Sequence, residues 1–68
     1  MLRLRKGKKT IELYDTAYDL ASDADTLKTC FKNRADMVAD FLRKNAFAFA
    51  ITGGKARLGE GYVFEHYK

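Results

Sequence analysis

The stretch TIELYDTAYDLASDA, residues 10–24, decides how this chain is organised, because it fits two different periods. At a period of two, Ile11 and Leu13 alternate with Thr10 and Glu12 and would complete a hairpin begun upstream. At the helical period, Ile11, Leu13, Tyr14, Ala17, Tyr18, Leu20, Ala21 and Ala24 fall within one half-circle. Glu12, Asp15, Asp19 and Asp23 then share the opposite side. The helical period explains more of the stretch and predicts a helix over about residues 12–23, with its boundary to the preceding strand open.

Upstream, Leu2 and Leu4 alternate with Arg3 and Arg5, as in a short strand with one buried face, and Lys6-Gly7-Lys8-Lys9 forms a polar turn. Downstream, Asp25 offers an N-cap. Leu27, Cys30, Phe31, Ala35, Met37, Val38, Phe41 and Leu42 then share one face of a helical pattern that runs to Asn45. Arg34 projects into that face. A buried unpaired guanidinium is costly, so either its stem reaches an edge or the helix breaks at Asn33, where Asn33 and Asp36 form a capping pattern. Farther on, Phe47, Phe49 and Ile51 alternate with Ala46, Ala48 and Ala50, which suits a strand with one large and one small face. Gly53-Gly54 and Gly59-Glu60-Gly61 bracket a loop bearing Lys55 and Arg57, and Tyr62, Val63, Phe64 and Tyr67 form the return strand. The expected class is α+β: an N-terminal strand or hairpin, two helices or one long one, and a C-terminal hairpin, with the helices on a small antiparallel sheet.

Composition agrees with one folded domain. The 68 residues leave no room for a second core, and 47% of them are hydrophobic, unlike a disordered chain. The longest apolar run, residues 46–51, is far short of the ~20 residues that span a bilayer. The basic start is not followed by the apolar segment of a signal peptide. A lone Cys30 excludes an internal disulfide and fits a reducing compartment, so the expected location is the cytoplasm, without membrane contact.

Catalytic chemistry lacks its parts. His66, Cys30 and Ser22 are the only residues of their types, and they do not supply a nucleophile, a base and an orienting group. His66, beside Glu65, is expected at a solvent-facing edge. Cys30 and His66 are too few for zinc. Asp19, Asp23 and Asp25 lack the glycine and glutamate of a calcium loop. No enzymatic activity, metal or cofactor is expected, which leaves binding.

Charge is ordered along the chain, whose net charge is +4. Arg3, Arg5, Lys6, Lys8 and Lys9 open it, residues 10–27 carry only acids, and Lys28, Lys32, Arg34, Arg43 and Lys44 follow with Asp36 and Asp40. Clustered cations displace counterions from a phosphate backbone. The expected function is therefore nucleic-acid binding, DNA ahead of RNA, with limited sequence preference. Arg3, Arg5, Lys6, Lys8 and Lys9 form the main contact, and Lys55 and Arg57 a second one. The helix, helix, hairpin order after residue 11 is similar to that of the winged-helix family, in architecture and not in motif. The resemblance implies that Lys55 and Arg57 sit on a wing, behind a base-reading helix. Asp36 and Asp40 on that helix would repel phosphates, so backbone contact is favoured over base readout. The stretch Lys44-Asn45-Ala46-Phe47-Ala48-Phe49 resembles the paired aromatics of RNA-recognition sheets, without their glycine. Phe47 and Phe49 read more simply as core.

The alternative is protein binding. Glu12, Asp15, Asp19 and Asp23, with Tyr14 and Tyr18 beside them, form an acidic face for a basic partner, in the manner of small phage or mobile-element inhibitors and adaptors of host proteins. A hairpin at the chain end also leaves an edge strand that can pair in a homodimer.

Overall fold

The computed structural model describes residues 1–51 and 54–67. Strand β1 (Leu2–Lys6) turns through Gly7 and Lys8 into β2 (Lys9–Tyr14). Residues 10–14 are thus strand, and the first helix, α1, is only Ala17–Ala21, not 12–23. The cause is a bulge. Tyr14, Leu13 and Glu12 pair with Leu2, Arg3 and Leu4, but the register shifts before Arg5 meets Thr10, which leaves Ile11 extra. The alternation of Ile11 and Leu13 therefore marks no buried face, since both stay exposed at 37% and 40% and only Tyr14 of this strand is buried, and the helical count outweighs it.

Helix α1 starts in a capping box: Thr16 accepts from the Asp19 backbone N–H, and the Asp19 carboxylate accepts from that of Thr16. Helix α2 (Ala24–Phe31) is capped by Asp23, not Asp25, because the Asp23 carboxylate accepts from the backbone N–H and the hydroxyl of Thr26. The long helical pattern does break. Lys32 takes a positive φ of 53°, a 3-10 turn covers Lys32–Arg34, and α3 (Ala35–Lys44) follows. The break does not use the Asn33–Asp36 cap, since Arg34 stands at the N-cap position with no side-chain hydrogen bond.

Residues 46–51 were expected as a strand and are a helix, α4 (Ala46–Ile51). A strand would put Phe47 and Phe49 on one side; instead Phe47 is 75% exposed and Phe49 3%. Alanine is the strongest helix former, and the three alanines favour this outcome. The hairpin itself comes later, β3 (Lys55–Gly59) and β4 (Tyr62–His66), so Lys55 and Arg57 lie on a strand and not in a loop. Gly53 of the expected glycine turn lies outside the described residues.

The four strands form one antiparallel sheet in the order β2-β1-β4-β3. The last strand is therefore internal, and the sheet's edges are β2 and β3. The C-terminal hairpin is no free-standing wing, because β4 pairs along β1 from Leu2↔His66 to Lys6↔Tyr62. Leu2, Leu4, Tyr14, Leu58 and Phe64 face the helices and pack with Leu20, Leu27, Phe31, Val38, Leu42 and Phe49. Met37 and Phe41, assigned to the same apolar face, remain outside at 69% and 41% exposure. Among the described residues no helix is long and apolar enough to cross a membrane.

Arg34 resolves both ways at once. The helix breaks beside it, and its guanidinium reaches the β3 end, where Nη1 donates to the Leu58 carbonyl at 3.3 Å. The group also lies 5.9 Å from the Phe31 ring centre. Gly59 makes the space: a Cβ there would stand 2.8 Å from Arg34 Nη2, and its φ of 96° suits only glycine.

Candidate nucleic-acid interface

The pleat of β1 sends Leu2 and Leu4 into the core and Arg3 and Arg5 to the opposite face of the sheet. Register then decides what joins them. Arg3 lies opposite Glu65, and Arg5 opposite Val63, on β4. Lys55 and Arg57 lie opposite the same two residues from β3. Four cations from two separated segments thus stand on one sheet face, on which no described element packs. Val63 between Arg5 and Arg57 is only 8% exposed although it lies outside the main core, as expected where arginine stems cover an apolar residue.

Glu65 organises the face. Its Oε2 accepts from Arg3 Nε at 2.9 Å, Arg3 Nη2 at 2.7 Å and Arg5 Nε at 2.9 Å, and its Oε1 accepts from Arg5 Nη2 at 3.3 Å. Arg5 also donates to the Gly7 carbonyl at 2.7 Å, and Arg3 to the Thr10 hydroxyl at 3.4 Å. The Arg3 guanidinium lies 5.3 Å from the Tyr67 ring centre. One carboxylate thereby fixes two guanidiniums that would otherwise repel, and leaves the four cations in excess.

Hydrogen bonds from Arg5 and then Arg3 hold the Glu65 carboxyl at about 2, below its ordinary 4.5. Between those values the unfolded chain binds the proton and the folded chain does not. The stabilisation is therefore full above about pH 5 and is lost as pH falls toward 2. Denaturant titrations over a pH series should show wild-type stability falling across this window, and Glu65→Gln falling less. At neutral pH the variant should be less stable by about 1–2 kcal/mol. Identical pH profiles for the two proteins would contradict this role.

The remaining predicted cations lie elsewhere. Lys6 turns toward the Tyr62 ring, 5.0 Å from its centre, and Lys8 and Lys9 are exposed at the β1–β2 turn. Lys8 and Lys9 border the face at one end, whereas Lys6 shares the helical side with Leu2 and Leu4, where its partner Tyr62 packs on Phe31. Asp36 and Asp40 lie on α3, on the helical side of the sheet, so the acids that would repel phosphates are kept away from it. Glu65 and Tyr67 were missed as site residues. Nothing local marks them, since only the β1–β4 pairing brings them to Arg3.

The acidic alternative does not form one helix face. Glu12 is on β2 and accepts from the Leu13 N–H, and Asp19 serves its cap. Asp23 accepts from the Tyr14 hydroxyl at 2.8 Å, and bonds from Tyr14 and Thr26 lower its carboxyl. Asp15 and Tyr18 remain exposed beside a cavity of about 350 Å³ that Phe47 also lines. His66 is no edge residue: its Nε2 meets the Phe49 carbonyl and ties β4 to α4. Cys30 is buried and in no disulfide, and among the described residues no group of metal-ligating side chains is present. No protein-family model matches this chain, and no curated protein or solved structure is significantly similar to it.

Proposed function

We propose that this protein binds nucleic acid, duplex DNA ahead of RNA, through the open face of its sheet. The observation that carries the proposal is the convergence of Arg3, Arg5, Lys55 and Arg57 on one uncovered face around a single carboxylate, Glu65. β1 and β3 are two strand spacings apart, so the cations form two rows about 10 Å apart. A phosphate backbone crossing the strands meets both rows, while Lys8 and Lys9 extend the positive surface at one end. Among the described residues no helix presents side chains on this face, so contacts go to phosphates and sequence preference is weak. The protein acts by binding, without catalysis.

Fluorescence anisotropy with labelled duplex DNA, single-stranded DNA and RNA at low and raised salt tests the proposal. Binding at low salt should weaken as a power of salt concentration, and the choice of base sequence should change it little. No binding at low salt overturns the proposal.

A second reading, as an inhibitor or adaptor of another protein, rests on the exposed Tyr18, Asp15 and Phe47 around their shared cavity. It predicts capture of a basic protein that Asp15→Lys abolishes while nucleic-acid binding persists.

A further inference from the structure

Strand β3 is an edge of the sheet: within the described residues it pairs with β4 alone, so its other side offers backbone donors and acceptors in a row. What stands beside that side is unusual on both faces. On the helical face, Met37 and Phe41 of α3 are 69% and 41% exposed, and with Val38 and Leu58 they line an apolar groove of about 170 Å³ along the strand. On the open face, Lys55 and Arg57 project from the same strand, and Arg57 also borders the groove.

A chain added to this edge would have its side chains alternate between the two faces. One set would enter the groove between α3 and β3, and the other would lie beside Lys55 and Arg57. We infer that the β3 edge receives, as a fifth strand, an extended segment of a partner protein in which apolar residues alternate with aspartate or glutamate. Main-chain hydrogen bonds supply affinity in such strand addition, and the alternating side chains supply selection. Charge complementarity sets the acidic half of the pattern, and Met37, Phe41 and Leu58 set the apolar half.

A second copy of this chain fits less well. Two β3 strands paired antiparallel about their centre would set Arg57 against Arg57, and directly opposed like charges are destabilising. Pairing of β3 with the β2 edge of another copy is head-to-tail, which yields a ring or an open filament and not a two-fold dimer. The inference does not depend on nucleic-acid binding, although both use Lys55 and Arg57.

The test uses the full chain and a labelled synthetic peptide in which Glu alternates with Val and Phe, with a control in which Lys replaces Glu. The acidic peptide should bind, and the basic one should bind at least about tenfold more weakly, a difference of ~1.4 kcal/mol. Met37→Asn and Phe41→Asn, each checked for an unchanged circular-dichroism spectrum, should weaken the acidic peptide by a similar factor and, adding no charge beside Arg57, leave oligonucleotide binding intact. Both substituted side chains are exposed; if one variant unfolds, the other carries the test. The inference is overturned if the acidic peptide does not bind, if both peptides bind alike, or if the folded variants bind as wild type does. It is equally overturned if sedimentation shows self-association that Phe41→Asn abolishes, because a second copy then occupies the edge.

Discussion

Phe64→Ala should leave the domain largely unfolded at room temperature. Phe64 is fully buried on β4, an internal strand, and pairs with Leu4 on one side and Ala56 on the other. Its ring meets Tyr14 edge-on at 6.2 Å and Phe49 at 5.1 Å, and so joins β2, β4 and α4. Removing a buried phenylalanine costs about 3–5 kcal/mol, lost transfer energy and cavity together. The single core of a chain this short rarely supplies more than about 3–5 kcal/mol. The loss therefore takes most or all of the folding free energy. Phe64→Leu, which keeps most of the volume, should cost about 1–1.5 kcal/mol and retain the fold. Circular dichroism with urea titration reads both variants. A cooperative transition for Phe64→Ala near the wild-type midpoint would show that the core is not organised around this ring.

The largest effect on binding is expected from Lys55→Gln combined with Arg57→Gln. Both side chains are exposed, and neither enters an ion pair among the described residues, so their removal should cost the fold little. Arg3 and Arg5 are poorer choices. Glu65 is only 14% exposed at its side chain and would be left partly buried without its partners. Each phosphate contact contributes about 0.9 to the slope of log affinity against log salt, so the double variant should lower the slope by about two. At 50 mM salt that corresponds to roughly a hundredfold loss of affinity. A double variant with unchanged slope would remove β3 from the interface. Glu65→Gln should act in the opposite sense on binding, tightening it severalfold by removing a negative charge while weakening the fold.

How much of this was legible in the residues depends on whether the signal was local. The alternation of Leu2 and Leu4 with Arg3 and Arg5 identified β1 and which face its arginines take. Arg34 in an otherwise apolar face marked the helix break correctly. Two signals misled, for different reasons. At Thr10–Tyr14 the alternation of Ile11 and Leu13 marks no buried face, because both stay exposed and only Tyr14 is buried, and the pairing with β1 that makes the segment a strand is invisible from within it. At Ala46–Ile51 the large–small alternation imitates a strand, yet burial falls on Ala46 and Phe49, three residues apart, and passes over Phe47, a spacing that the paired phenylalanines mask in the sequence. The candidate site was legible in its residue types and not in its assembly. Arg3, Arg5, Lys55 and Arg57 are far apart in sequence, and their meeting follows from β4 lying between β1 and β3. The same pairing brings in Glu65, which no reading of charge runs would have placed between two arginines.

Amide chemical shifts followed by NMR during addition of a short DNA duplex at low salt test the central claim most directly. If the open sheet face is the interface, perturbations should cluster at Arg3, Arg5, Lys55, Arg57, Glu65 and Tyr67, with a border at Lys8 and Lys9, while Asp36 and Asp40 on α3 stay unmoved. Perturbations concentrated on the helices, or none at all, would contradict it.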